Sequence, residues 1–285
     1  MDLSSKVALV TGATAGIGLE TAGGIAKTGA TVVIVGRDRA KSERVVNELR
    51  AATRNEKIEF IVADLFSLRA IRELAENFKS KYSRLDILVN NAGAIFDKRE
   101  TTVDGFEKTF ALNHLSYFLL TNLLIDIIKQ SHSSRIVSVS SVAHTFAGKI
   151  DFDDLQFERK RFSGMNAYAQ SKLMNVLFTY ELARRLAGAN VAANCLHPGG
   201  VASNFADNTS GILKAAAWLF KNTFAITPAR GAETSVYLAT SPEVENVTGK
   251  YFDNRREKES SKISYDVETQ QRLWETSENL VGQQF

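Results

Sequence analysis

Val7-Ala8-Leu9-Val10-Thr11-Gly12-Ala13-Thr14-Ala15-Gly16-Ile17-Gly18 decides how this chain folds. An apolar run is followed by glycines at i, i+4 and i+6, and then by Ile17, Ala22, Ile25 and Ala26 at helical spacing. That order reads as buried strand, tight turn, helix. Gly12 allows the chain to turn out of the strand, Gly16 allows the backbone to approach a pyrophosphate, and Gly18 allows the helix to pack close to the strand. The first-turn amides and the helix dipole favour an anion there. The loop Gly12, Thr14, Ala15, Gly16, Ile17 and Gly18 is therefore a candidate dinucleotide cradle. A plain strand–helix turn uses the same residue types, so the loop alone leaves both readings open.

The rest of the chain repeats the pattern. Short β-branched runs stand at Val7–Val10, Thr31–Val35, Ile58–Val62, Ile87–Val89, Arg135–Val139 and Val191–Leu196, with helical spacing between them. Val45, Val46 and Leu49 share one face, as do Leu68, Ile71, Leu74, Ala75 and Phe78. Nearly continuous apolar strands are those of a parallel sheet covered on both faces. The expectation is an α/β chain with one doubly wound Rossmann fold, a central, mostly parallel sheet flanked by helices on both sides. No Pro-, Gly- or Ser-rich linker divides residues 1–285, so one domain is expected. All three prolines, Pro198, Pro228 and Pro242, lie in the last third. Pro228 and Pro242 bracket a helix expected over Ala229–Thr240.

Two irregular regions, 143–165 and 203–227, follow strand ends, where open α/β sheets form their ligand crevice. Ile212 to Ile226, with Leu213, Trp218, Leu219 and Phe220, reads either as a helix closing over an apolar substrate or as a surface that docks on lipid.

Three further clusters carry chemistry. The second strand ends Val35-Gly36-Arg37-Asp38. An acidic residue near this point would accept bonds from the ribose hydroxyls of NAD. Here Gly36 leaves room for a 2′-phosphate and the Arg37 guanidinium can bind it through two parallel bonds, so NADP(H) is preferred over NAD(H). The alternative is that Arg37 is a solvated loop residue and Asp38 caps the next helix. Tyr168 and Lys172, at i and i+4, lie one helical turn apart on one face, and an ammonium beside a phenol lowers its pKa. Such pairs also occur with no catalytic meaning. Ser141 ends the fifth strand, where its hydroxyl can bind a substrate oxygen or cap its own loop. Asn113 sits in an apolar helical run from Phe110 to Leu124, so its amide needs partners.

With these residues in place, the chain resembles the short-chain dehydrogenase/reductases, and within them the retinol dehydrogenase-like branch. The matching motifs are Thr11-Gly12-x3-Gly16-x-Gly18, Asp64-Leu65, Asn90-Asn91-Ala92-Gly93, Asn113, Ser140-Ser141, Tyr168-x3-Lys172 and Pro198-Gly199. The resemblance covers almost the whole chain. It implies hydride transfer between NADP(H) and a small apolar aldehyde, ketone or alcohol. Tyr168 would be general acid or base, Lys172 would hold the nicotinamide ribose, Ser141 would bind the substrate oxygen and Asn113 would position a water. Asp64 and Leu65 would border the adenine, Asn91, Ala92 and Gly93 the ribose, and Pro198, Gly199 and Val201 the carboxamide. The family's usual threonine after the Pro-Gly turn is Ser203 here. Relatives often pair through the helices beginning near Asn113 and Tyr168, so a homo-oligomer is open.

The other features suggest no second chemistry. Lys+Arg is 35 and Asp+Glu is 32, a formal charge of +3 that gives no reason to expect nucleic acid. Met1 to Lys6 runs into an apolar segment too short for a signal core or a membrane span, so a cytoplasmic protein is expected. Cys195 reads as a buried small hydrophobe. His114, His132, His144 and His197 lack metal-ligand spacing, and no metal is expected; His144 lies close enough to Ser141 to line the substrate site. Asp151, Asp153 and Asp154 read as a charged loop, and Arg255 to Glu259 as a solvated one. The competing class is a non-catalytic NADP(H)-binding sensor or scaffold, which would need the glycine loop but not Ser141, Tyr168 and Lys172.

Overall fold

The computed structural model describes residues 2–200 and 226–285. The six apolar runs all form strands: β1 (Val7–Thr11), β2 (Thr31–Gly36), β3 (Ile58–Val62), β4 (Ile87–Asn90), β5 (Ser134–Val139) and β6 (Val191–His197). With β7 (Tyr251–Asp253) and β8 (Arg256–Lys258) they make one sheet of order β3-β2-β1-β4-β5-β6-β7-β8. Every pairing is parallel except β7 with β8. The helices are α1 (Gly16–Ala26), α2 (Arg39–Thr53), α3 (Leu68–Lys81), α4 (Lys108–Lys129), α5 (Gly164–Arg185), α6 (Pro228–Thr240) and α7 (Val267–Val281). The expected segment 203–227, with Ile212–Ile226, Val201 and Ser203, falls outside the described residues apart from positions 226 and 227.

Alternation along each strand sends neighbouring side chains to opposite faces. Val10, Ile34, Val89 and Val137 pack against Ile25 of α1, Val45 of α2 and Leu238 of α6. Leu9, Val33, Leu88 and Ile136 face Phe78 of α3, Leu120 of α4, Leu177 of α5 and Trp274 of α7. Trp274 closes that second layer. Its ring stacks on Phe178 at 5.8 Å, meets Phe118 edge-on at 4.9 Å and carries the Arg185 guanidinium 4.5 Å above it.

Some expectations need correcting. Arg255 to Glu259 is not merely a solvated loop, because Arg256–Lys258 pairs antiparallel with Tyr251–Asp253 and finishes the sheet. β3 is not continuously apolar: it is the other sheet edge, and Glu59 and Val62 are exposed. Lys108–Lys129 is the one helix among the described residues long and apolar enough to cross a bilayer, and 89% of its apolar window is buried inside the fold. Asp154 does not present a bare charged surface. Its carboxylate accepts from the amides of Glu158, Arg159 and Lys160, and Asp151 pairs with Lys160.

Because β1 to β6 are parallel, their C-terminal ends share one edge of the sheet. Thr11, Gly36, Val62, Asn90, Val139 and His197 stand along it, and the order reverses direction between β1 and β4. That reversal opens the crevice in which an α/β sheet receives a ligand.

Candidate active site

The turn after β1 is built for close approach. Gly12 has φ +64°, and a Cβ there would stand 2.9 Å from Ala92 Cα. Asn91 secures the turn: its Nδ2 donates to the carbonyl of Thr11 at 2.8 Å, and the amides of Asn91 and Ala92 donate to the Thr11 hydroxyl. Asn91 thus serves as a brace for the glycine turn. At the head of α1, Ala15 offers no side-chain cap and the first turn holds no acidic residue. Those amides are left for an anion, which is the fit a dinucleotide pyrophosphate requires.

At the end of β2, Arg37 is exposed and Asp38 caps α2 by accepting from the Lys41 amide at 2.9 Å. Gly36 also answers to a constraint within the protein itself. A Cβ there would fall 2.5 Å from Thr14 Cγ2 and 2.8 Å from Ser42 Oγ, so the missing side chain makes room for the protein's own residues. Asp64, after β3, is exposed and accepts from the Phe66 amide at 3.1 Å. Gly199 follows Pro198 with φ +87°, and the Gly200 carbonyl accepts from Ile226 N at 2.8 Å.

α5 brings Tyr168 and Lys172 to the β5 end. Lys172 is buried, donates through Nζ to the Val139 carbonyl at 3.0 Å and lies 5.6 Å from the Tyr168 ring centre. Ser141 lies beside Tyr168, where its hydroxyl favours the phenolate, and accepts from the Ala143 amide at 3.2 Å, so it serves as both site hydroxyl and loop cap. Asn113 sits in a π-helical turn, Ala111–Leu115, inside α4. Its side chain exchanges bonds with Ala94, 2.9 Å from N and 3.0 Å to O, and donates to Ser171 Oγ at 3.0 Å. A methyl on Gly93 would stand 3.2 Å from Asn113 Oδ1 and 3.4 Å from Lys172 Nζ. Asn113, Ser141, Tyr168 and Lys172 therefore gather at one point, beside Gly93.

The electrostatics reverse one expectation. Burial pushes Tyr168 up to about 12, only partly opposed by the Ser141 hydroxyl, and pushes Lys172 down to about 7. Desolvation outweighs the ammonium's pull on the phenol, because each group loses more from its charged form than it gains from its neighbour.

The sequence reading missed several supports. Ser171 donates to the Tyr168 carbonyl at 2.7 Å while accepting from Asn113, tying α5 to the π turn. Asn175 donates to the Val139 carbonyl beside Lys172 at 3.3 Å. Tyr117 lies buried with its ring 5.8 Å from Lys172 Nζ. Ser171 and Asn175 follow Tyr168 at i+3 and i+7, a helical spacing that could have exposed them. The Val139 carbonyl has no side-chain signature at all.

Known proteins resemble this chain over most of its length. The sequence profile described as short chain dehydrogenase matches residues 6–153. Retinol dehydrogenase 13 of Mus musculus is 44% identical over 98% of this chain and 85% of its own length. Polyprenol dehydrogenase of Homo sapiens is 42% identical over 97% of this chain and 85% of its own. A putative short chain dehydrogenase from Escherichia coli complexed with NADPH superposes with a TM-score of 0.70 at 25% identity, covering 88% of this chain and 97% of that one. The glycine turn, the strand order and the Ser141–Tyr168–Lys172 group thus belong to a chain of the short-chain dehydrogenase family, an oxidoreductase of the retinol dehydrogenase-like kind.

Proposed function

We propose that this protein is an NADP(H)-dependent oxidoreductase that interconverts an apolar alcohol and its aldehyde or ketone, with Tyr168 as general acid and base. The observation that carries the reading is the Ser141 hydroxyl beside Tyr168, one helical turn from the buried Lys172, on the sheet edge that also holds the glycine turn. NADP(H) supplies or accepts the hydride when bound. The chain would hold it through the α1 amides, Arg37, Asp64, Leu65, the Asn91–Gly93 segment, Lys172 and the Pro198–Gly199 turn. Ser141 and Tyr168 then orient the substrate oxygen, which fixes the reacting carbon and removes most of the orientational freedom of encounter. In reduction, Tyr168 Oη gives its proton to that oxygen. A phenol held near 12 keeps this proton at neutral pH.

The substrate class is argued from the relatives' names, retinol and polyprenol, both long apolar isoprenoid alcohols. All-trans-retinal with NADPH, followed by the loss of NADPH absorbance, is the first assay. Absence of turnover across a panel of isoprenoid, fatty and aromatic aldehydes would reject the reading. Arg37 is argued as the 2′-phosphate contact. Arg37→Ala is expected to raise KM for NADPH by about tenfold or more, the value of a charge-assisted bond, with KM for NADH unchanged. Equal effects on both cofactors would remove Arg37 from that role.

A further inference from the structure

Two histidines hold the peptide bond that follows Ser141, one at each end. His144 Nδ1 lies 2.6 Å from the Ser141 carbonyl oxygen, and His197 Nδ1 lies 3.2 Å from the Val142 amide nitrogen. Those two backbone groups belong to the same peptide unit. A carbonyl oxygen only accepts, so His144 Nδ1 carries a proton. Its Nε2 accepts from the Ser261 amide at 3.1 Å and is therefore bare. His197 Nδ1 accepts from Val142 and is bare as well. The His197 contact needs a free lone pair at Nδ1, whereas the His144 contact with Ser141 is a donation that the doubly protonated ring also makes, and only its contact with Ser261 needs a bare Nε2. Turning this peptide plane turns Ser141, whose hydroxyl meets Tyr168.

We infer that His144 and His197 are positioning residues that fix Ser141 by gripping the Ser141–Val142 peptide from both sides, and that the grip loosens when His197 takes a second proton. The inference rests on the proposed oxidoreductase reading for its catalytic consequence, but not for its geometry. His144 is buried, and its ring lies 4.8 Å from that of Tyr251. It borders a cavity of about 460 Å³ lined also by Lys149, Lys262 and Asp266. Tyr168 and Lys172 of α5 stand across Ser141. His197 faces Asp253 of β7, which favours its charged form, and Lys258 of β8 and His144, which oppose it. Burial is the largest influence on both imidazoles and holds each below the ordinary histidine value. The grip is therefore complete at neutral pH, and its His197 half is lost only as pH falls through a point below the ordinary histidine value. In the reducing direction Tyr168 stays protonated over that whole range, so its own titration does not shape the acid limb.

The test uses the full chain. Nitrogen-15 spectra of the histidine rings at pH about 7.5 are expected to show His144 as the neutral Nδ1–H tautomer, the minor form of free histidine, with His144→Asn supplying the assignment. Amide exchange is expected to show Val142 losing protection in His197→Ala and keeping it in His197→Asn, whose Oδ1 is a non-titrating acceptor. With all-trans-retinal and NADPH, His197→Ala is expected to lower kcat by about tenfold or more with NADPH affinity unchanged. His197→Asn should restore kcat and make the acid-side fall shallower. A charged or Nε2–H His144 at that pH, or unchanged Val142 protection in His197→Ala, overturns the inference. So does an Asn variant that keeps the wild-type acid limb. If retinal is not turned over, the spectra and the exchange still decide the grip, and only the proposed function falls.

Discussion

Tyr168→Phe is expected to lower turnover by about 10³-fold while leaving NADPH affinity within about twofold of wild type. The ring and its packing against Lys172 survive, and only the phenolic oxygen that meets Ser141 is removed. General acid–base catalysis contributes about 10²- to 10⁴-fold, and the expected loss stands at the middle of that range. NADPH binding by fluorescence titration and single-turnover kinetics separate the two effects. A variant retaining a tenth of wild-type kcat would remove Tyr168 from the proton step. The same argument predicts that alcohol oxidation accelerates with rising pH. The oxidising direction needs a phenolate, and burial keeps that form scarce until the pH approaches 12 or a bound positive charge draws it down.

Trp274→Ala is the largest stability effect expected, a loss of roughly 3–5 kcal/mol. Trp274 is 1% exposed and joins α7 to α4 and α5 through Phe118 and Phe178. Its Nε1 donates to Glu278 at 3.0 Å. Truncation leaves a cavity behind the helix that carries Tyr168 and Lys172, in a layer whose side chains interdigitate and relax only partly. The midpoint of thermal unfolding should fall by roughly 10 °C, with kcat per folded molecule near wild type well below the new midpoint. A loss under about 1 kcal/mol would mean that α7 is an appendage and not a part of the core.

Much of this architecture is legible in the sequence because its signals are local. Val7–Val10 and the glycines after it lie within one strand and one turn, and parallel strands announce themselves as apolar runs. Helical spacing puts Tyr168 and Lys172 on one face, and the resemblance of the surrounding motifs, not the spacing, suggests their roles. The failures have a common cause. Arg256-Glu257-Lys258 is wholly exposed, so no burial pattern marks it as a strand, and only pairing with Tyr251–Asp253 makes it one. Thr14 and Ser42 crowd Gly36 from other segments, a constraint that the letters beside it do not carry. The depressed Lys172 and raised Tyr168 follow from burial, which neighbouring letters do not encode. His144 and His197 are 53 positions apart and meet one peptide bond only once β5 and β6 lie side by side.

Cys195, the sole cysteine of the chain, pairs with Ser138 on one side and Tyr251 on the other, in the interior of the sheet. It is wholly buried, and burial pushes its thiol up to about 12. Neither access nor ionisation favours attack on an external disulfide in the native state. The thiol can react only in molecules whose sheet has opened at β6, so the labelling rate counts those openings one by one. At low reagent concentration the rate follows the open population, and at high concentration it follows the opening rate itself. The protein thus contains its own kinetic clock for unfolding, one that needs no engineered label and no knowledge of the substrate.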